Sequence, residues 1–129
     1  MRRANGSDTI RVMSESVTIY HNPRCSKSRQ TLALLEERGI DPVIVPYLDD
    51  PPDALTLKRL LSQLGLSARE LMRRKEGRYR ELGLDDPELS EDDLIRAMTE
   101  NPILIERPIV VTTRGARLGR PPENVLEIL

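Results

Sequence analysis

Tryptophan and phenylalanine are absent from this chain of 129 residues, and three tyrosines are its only aromatics. The core must therefore be built from Leu, Ile and Val. A single cysteine and a single histidine are present. One cysteine excludes an internal disulfide framework, and one His with one Cys falls short of a structural zinc set, so no metal site is expected. Neither sign of charge dominates, with 20 Lys+Arg against 21 Asp+Glu. That balance argues against a general binder of nucleic acid or of membrane surfaces. No apolar run approaches the roughly 20 residues that span a bilayer. Residues 1–14 also lack the apolar stretch of a signal peptide. Without disulfides or a targeting segment, the expected location is the cytoplasm.

The length suits one domain, large enough to bury about two-thirds of its unfolded surface. Residues 1–14 are polar and without apolar period, which predicts a disordered extension ahead of a domain over 15–129. Met13, just before Ser14-Glu15-Ser16, stands at or near the expected true start.

Val17-Thr18-Ile19-Tyr20 has the β-branched and aromatic character of a strand, and Asn22-Pro23 ends it. Cys25 to Arg38 reads as a helix with Leu32, Leu34 and Leu35 on its apolar face and Gly39 beyond its end. Val43-Ile44-Val45 is wholly apolar, which predicts a central strand covered on both sides. This β-α-β unit implies a parallel pair with a right-handed crossover. Helices are then expected over 54–64, from the Ser67 cap through Met72, and from the Ser90 cap to about Glu100. Arg73 to Arg78 reads as a basic loop or frayed helix end. Strands are expected at Ile109–Thr112 and Ala116–Leu118, joined by a turn at Arg114-Gly115, and a closing helix over 123–129. The class is α/β: a four-stranded mixed sheet of thioredoxin-like organisation, with a helical insertion between its β-α-β and β-β-α halves. Pro108 would then open the third strand facing the end of the first helix, in a position compatible with either a cis or a trans bond.

Cys25 stands at the junction between the first strand and the first helix, within His21-Asn22-Pro23-Arg24-Cys25-Ser26-Lys27-Ser28-Arg29. Backbone amides and the positive end of a helix dipole converge there, and both favour the thiolate, the reactive form of cysteine. Its neighbours are polar and cationic rather than core-like. Ser28 replaces the second cysteine of a Cys-x-x-Cys pair, so any resolving thiol must come from another molecule. A phosphatase-type loop needs an arginine where this chain has Thr31, and Arg29 comes too early. His21, four residues before the thiol, suits a charged neighbour that favours the thiolate, a proton carrier, or an ordinary polar surface residue.

Three arginines occupy unusual places. Arg73 ends a short helix, Arg107 precedes Pro108 and a buried strand, and Arg120 lies between Gly119 and Pro121-Pro122. A guanidinium in a rigid loop suits bidentate oxyanion binding, but sequence spacing alone does not bring the three together.

His21-Asn22-Pro23-Arg24-Cys25, Arg69-Glu70-Leu71-Met72-Arg73, Glu106-Arg107-Pro108-Ile109-Val110-Val111 and Gly119-Arg120-Pro121 together resemble the glutaredoxin-coupled arsenate reductases. The likeness runs from about Val17 to Leu129, and within the family it is nearest to the small bacterial branch reading His-Asn-Pro-Arg-Cys-Ser-Lys-Ser-Arg. It implies the thioredoxin-like fold and an oxyanion set of Arg73, Arg107 and Arg120 converging on Cys25. It also implies that His21 assists thiolate formation, with Asn22, Ser28 and Pro108 shaping the site. The implied reaction is reduction of arsenate to arsenite through a Cys25 thiol–arsenate ester. Glutathione would be the co-substrate and glutaredoxin the partner, with no bound cofactor. Two other readings remain on the same fold: a non-enzymatic regulator that binds a protein such as RNA polymerase, and a monothiol exchange protein without an oxyanion substrate.

Overall fold

The β-branched run after Val17 forms β1 (Thr18–Tyr20), and the chain returns through α1 (Ser26–Glu37) to β2 (Val43–Val45). The structure, a computed structural model, describes residues 16–129. The extension expected over 1–14, and Met13 as a start, lie outside the described residues. Two compact units divide the rest: one holds the chain up to Val45 together with Arg107–Leu129, the other Pro46–Glu106.

The first unit carries β3 (Ile109–Thr112) and β4 (Gly115–Leu118) beside β1 and β2. The sheet order is β2-β1-β3-β4. β1 runs parallel to β2, with Ile19 opposite Ile44, and antiparallel to β3, with Ile19 opposite Val110. β3 and β4 form the hairpin. Val17, Ile19, Leu35, Val110, Val125 and Ile128 make one buried cluster beneath this sheet, with Leu32, Leu34, Ile40 and Leu129 at its margin. Each fully buried aliphatic side chain contributes about 1.5–3 kcal/mol, so branched aliphatics replace the missing aromatics here. α1 ends where Gly39 adopts φ +77°, a conformation costly for any residue with a Cβ. This is the thioredoxin-like sheet expected from the sequence.

The second unit is the helical insertion: α2 (Ala54–Leu64), α3 (Ala68–Leu71), α4 (Gly77–Glu81) and α5 (Glu91–Glu100). Asp53 caps α2 by accepting from the Thr56 amide at 2.8 Å. Ser67 and Ser90 open α3 and α5 with complete capping boxes. Leu57, Leu60, Leu61, Leu71, Leu94, Ile95 and Met98 are buried, and α2 and α3 pack on α5. Arg69 holds the unit's irregular part, donating to the Tyr79 hydroxyl at 2.8 Å, the Leu84 carbonyl at 2.6 Å and the Asp86 carbonyl at 3.0 Å.

The structure departs from the sequence expectations in four places. β2 is an edge strand, not a central one: no described strand pairs with its outer side, and Val43 and Ile44 are 61% and 46% exposed. Three apolar residues in a row cannot distinguish burial on two faces from burial on none. The closing segment is a 3₁₀ helix over Pro122–Ile128 rather than an α-helix. Pro121 and Pro122 lack amide donors, and the backbone turns instead through bonds such as Asn124 N–H to the Pro121 carbonyl at 3.0 Å. α4 occupies part of what read as a loop, because Gly77 at its start masks it. Met72 lies past the end of α3 and forms a bridge with Ile105. No helix among the described residues is long and apolar enough to cross a membrane.

Candidate functional site

Cys25 is the N-cap residue of α1, in extended conformation (φ −96°, ψ 125°). A tight loop delivers it there. The Cys25 amide donates to the Asn22 carbonyl at 3.0 Å, and the Asn22 side-chain oxygen accepts from the Arg24 amide at 2.9 Å. Arg29 reaches back to the Pro23 carbonyl at 2.9 Å, and the Asn22 amide donates to the Ser28 hydroxyl at 3.0 Å. Asn22 and Ser28 thus fix the path of the chain on both sides of the sulfur.

The thiol is more enclosed than its polar neighbours suggested, at 8% exposure. Burial is the largest influence on its pKa and pushes it up. The Ser28 amide, the Arg107 charge, the Lys27 amide and the Arg120 charge push it down, and together they prevail. The sulfur makes no capping hydrogen bond of ordinary geometry, yet the two amides still stabilise its negative charge, as expected at a helix N-terminus.

Arg107 and Arg120 flank the open end of the β3–β4 hairpin, before β3 and after β4, and each precedes a cis proline, Pro108 and Pro121. Arg120 Nη1 lies 4.0 Å from Cys25 Sγ and donates to the Arg107 carbonyl at 3.2 Å. The Gly119 amide donates to the Pro108 carbonyl at 3.0 Å. Gly119 has no room for a side chain: a Cβ would overlap Thr31 Oγ1 and sit 2.9 Å from Pro108 Cγ. Buried Thr31 in turn donates to the Lys27 carbonyl at 2.8 Å and lies 3.5 Å from the Gly119 carbonyl. α1 therefore meets the Arg120 turn through the Thr31 side chain, and the Pro108 and Arg120 turns are joined backbone to backbone, which fixes the turn that carries Arg120 beside the sulfur. The arrangement combines a thiolate with two fixed cations, suited to a nucleophile that must approach an anion.

His21 is 8% exposed, and its Nδ1 lies 2.6 Å from the Ser28 hydroxyl. Burial and the Arg29 charge lower its pKa, against a smaller opposing effect of Glu36. A charged His21 that stabilises the thiolate is therefore disfavoured; the arginines and amides do that, and His21 stays neutral within the Ser28–Asn22 network. The sign of the linkage follows. A histidine whose folded pKa lies below its unfolded value leaves stability unaffected above about pH 6.5 and reduces it as pH falls below that value. Denaturant unfolding between pH 7.5 and 5.5 should show this loss in the wild type and a flatter profile in His21→Gln. The capping carboxylates Asp53 and Asp93, whose pKa values are lowered mainly by the Thr56 and Ser90 amides, act in a more acidic window.

Arg73 lies in the helical unit. Its guanidinium pairs with Glu76 at 2.7 Å and Glu106 at 3.8 Å, and its amide donates to the Leu104 carbonyl at 2.8 Å. Among the described residues no three His, Cys, Asp or Glu side chains come together as a metal-ligand group. Sequence reasoning missed Thr31 and Gly119 as site-shaping residues. The spacing of Ser28, Thr31 and Leu35, all wholly buried, carried the signal for the first. A glycine directly before Arg120 carried it for the second.

The ArsC family model matches residues 20–128. YfgD, an uncharacterised protein of Escherichia coli (strain K12), is 62% identical over 118 residues, which span 91% of this chain and 99% of that one. An arsenate reductase of Neisseria meningitidis is 54% identical over 114 residues, 88% of this chain and 97% of its own. The solved structure of an arsenate reductase from Vibrio cholerae is 60% identical and aligns with a TM-score of 0.87, covering 89% of this chain and 98% of the other.

Proposed function

We infer, from the site and from the fact that this chain belongs to the ArsC family, that it reduces arsenate to arsenite through Cys25. The carrying observation is the pairing of a thiol whose pKa is lowered with two loop arginines, one of them 4.0 Å from the sulfur. The Cys25 thiolate attacks arsenic, forming an S–As bond as an As–O bond breaks and that oxygen leaves as water. Arg107 and Arg120 offset the repulsion between thiolate and oxyanion. Arg73 is assigned to the oxyanion set by the resemblance alone.

Reduction takes two electrons, and the chain holds one thiol. Two external thiols supply the electrons: arsenate and two thiols give arsenite, one disulfide and one water. Glutathione is the assigned thiol, with glutaredoxin clearing the mixed disulfide. Asn22 and Ser28 hold the loop, and Pro108 holds the Arg107 turn.

The test is arsenite formation by the purified protein with arsenate, glutathione and glutaredoxin; no turnover at any glutathione concentration rejects the reading. Arg107→Ala should lower kcat/KM for arsenate by the equivalent of about 1.5–3 kcal/mol, the worth of a charged hydrogen bond. An unchanged value removes Arg107 from the site.

A further inference from the structure

The structure assigns Arg73, with Glu76 and Glu106 as its partners, to a clamp on the chain that leads into Arg107, and not to direct contact with the oxyanion. This deepens the reductase reading, on which it rests. The three arginines divide into two that act on the sulfur and one that positions the first of them.

The clamp begins in the backbone. Residues 71–73 and 104–106 pair antiparallel through the Met72–Ile105 bridge. The Arg73 amide donates to the Leu104 carbonyl at 2.8 Å, and the Glu106 amide donates to the Leu71 carbonyl at 2.9 Å. Leu71, Met72, Leu104 and Ile105 are all buried, which anchors the pair in the core of the helical unit. The ladder ends at Glu106, and the next residues are Arg107 and the cis Pro108 that opens β3.

The side chains close it. Arg73 Nη1 meets Glu76 at 2.7 Å, and Arg73 Nε faces Glu106 at 3.8 Å, an ion pair beyond hydrogen-bonding distance. Glu76 is brought there by a turn in which its amide donates to the Arg73 carbonyl at 3.1 Å. All three side chains are about three-quarters buried. Glu106 is thus held twice, through its amide by Leu71 and through its carboxylate by Arg73, at the residue from which Arg107 departs.

The charges suit a clamp better than an anion site. Two carboxylates outnumber the one guanidinium, so an oxyanion approaching Arg73 meets a net negative group. It would also have to displace Glu76 from a short charge-assisted contact. Arg107 and Arg120 are the charges that act on Cys25, and Arg120 Nη1 lies 4.0 Å from the sulfur. Removing the Arg73 guanidinium would leave two half-buried carboxylates repelling each other. Glu106 would turn toward water, and Arg107 would lose its fixed point of departure.

The pH midpoint of Cys25 alkylation reads the clamp without arsenate. Arg73→Gln should raise the midpoint by about half a pH unit, a fraction of what a nearby opposite charge is worth. Arg73→Lys keeps a cation between the carboxylates and should restore most of the wild-type value. On the Arg107→Ala background the Arg73→Gln shift should vanish, because the group through which it acts is gone. In kcat/KM for arsenate, Arg73→Gln should cost about fivefold in the wild type and less than about twofold on Arg107→Ala. Equal losses in both backgrounds would make Arg73 an independent ligand and overturn the clamp, as would an Arg73→Gln midpoint equal to that of the wild type. Glu76→Gln should lower kcat/KM too, whereas a rise would show a freed Arg73 binding the anion and would overturn the clamp. Absence of arsenite even with the wild-type protein would reject the reductase reading, and the alkylation midpoints would still decide the clamp.

Discussion

Cys25→Ser should form no arsenite from arsenate, glutathione and glutaredoxin, a loss of at least about a thousandfold, because an alcohol in this setting does not ionise as a thiol does. The amides of Ser28 and Lys27 and the charges of Arg107 and Arg120 act against a desolvation penalty. Their combined effect lowers the pKa of a thiol, ordinarily about 8.5, whereas a hydroxyl is far too weak an acid for the same setting to ionise it. The substitution also separates chemistry from folding. Cys25 occupies the N-cap of α1 and makes no capping hydrogen bond, whereas serine is among the favoured N-cap residues. The variant should therefore melt at or above the wild-type temperature while turnover vanishes. Arsenite detection and a thermal melt on the same sample check both halves. Substantial turnover in the serine variant would remove the Cys25 sulfur from the reaction.

Gly119→Ala should cost about 1–3 kcal/mol, the usual penalty for overpacking a tight contact, and lower the melting temperature by about 4 °C for each kcal/mol. The new methyl would overlap Thr31 Oγ1 and approach Thr31 Cγ2 to 3.1 Å and Pro108 Cγ to 2.9 Å. None of these can move freely: Thr31 is wholly buried in α1, and Pro108 is ring-locked at the head of β3. The strain would fall on the Arg120 turn, so the Cys25 pKa should rise together with the loss of stability. Adding Thr31→Ala removes two of the three clashing atoms, and the double variant should recover part of the loss. Strictly additive effects would show that Gly119 and Thr31 are not in contact.

Much of this was legible in the sequence, for particular physical reasons. α2 and β3 occupy the expected residues because Asp53, Gly65 and Pro108 are strong local boundaries. The Ser67 and Ser90 capping boxes likewise act within three residues of themselves. β2 was misplaced because strand order depends on which strands pair over long distances, and a three-residue apolar run carries no such information. In the site, the Cys25 loop was readable because its bonds join neighbours. The approach of Arg120 to the sulfur spans 95 positions and became visible only in the fold. The direction of the His21 pKa was not legible in the sequence, because burial, its largest cause, is a tertiary property.

The most direct measurement is the pH dependence of Cys25 alkylation by iodoacetamide, in which the single thiol of the chain is the only cysteine reporter. The midpoint should lie below that of an ordinary thiol and move upward in Arg107→Ala and in Arg120→Ala, with the His21→Gln midpoint nearly unchanged. A wild-type midpoint at or above the ordinary value, or one indifferent to both arginines, would contradict a thiolate held for an oxyanion by these two residues.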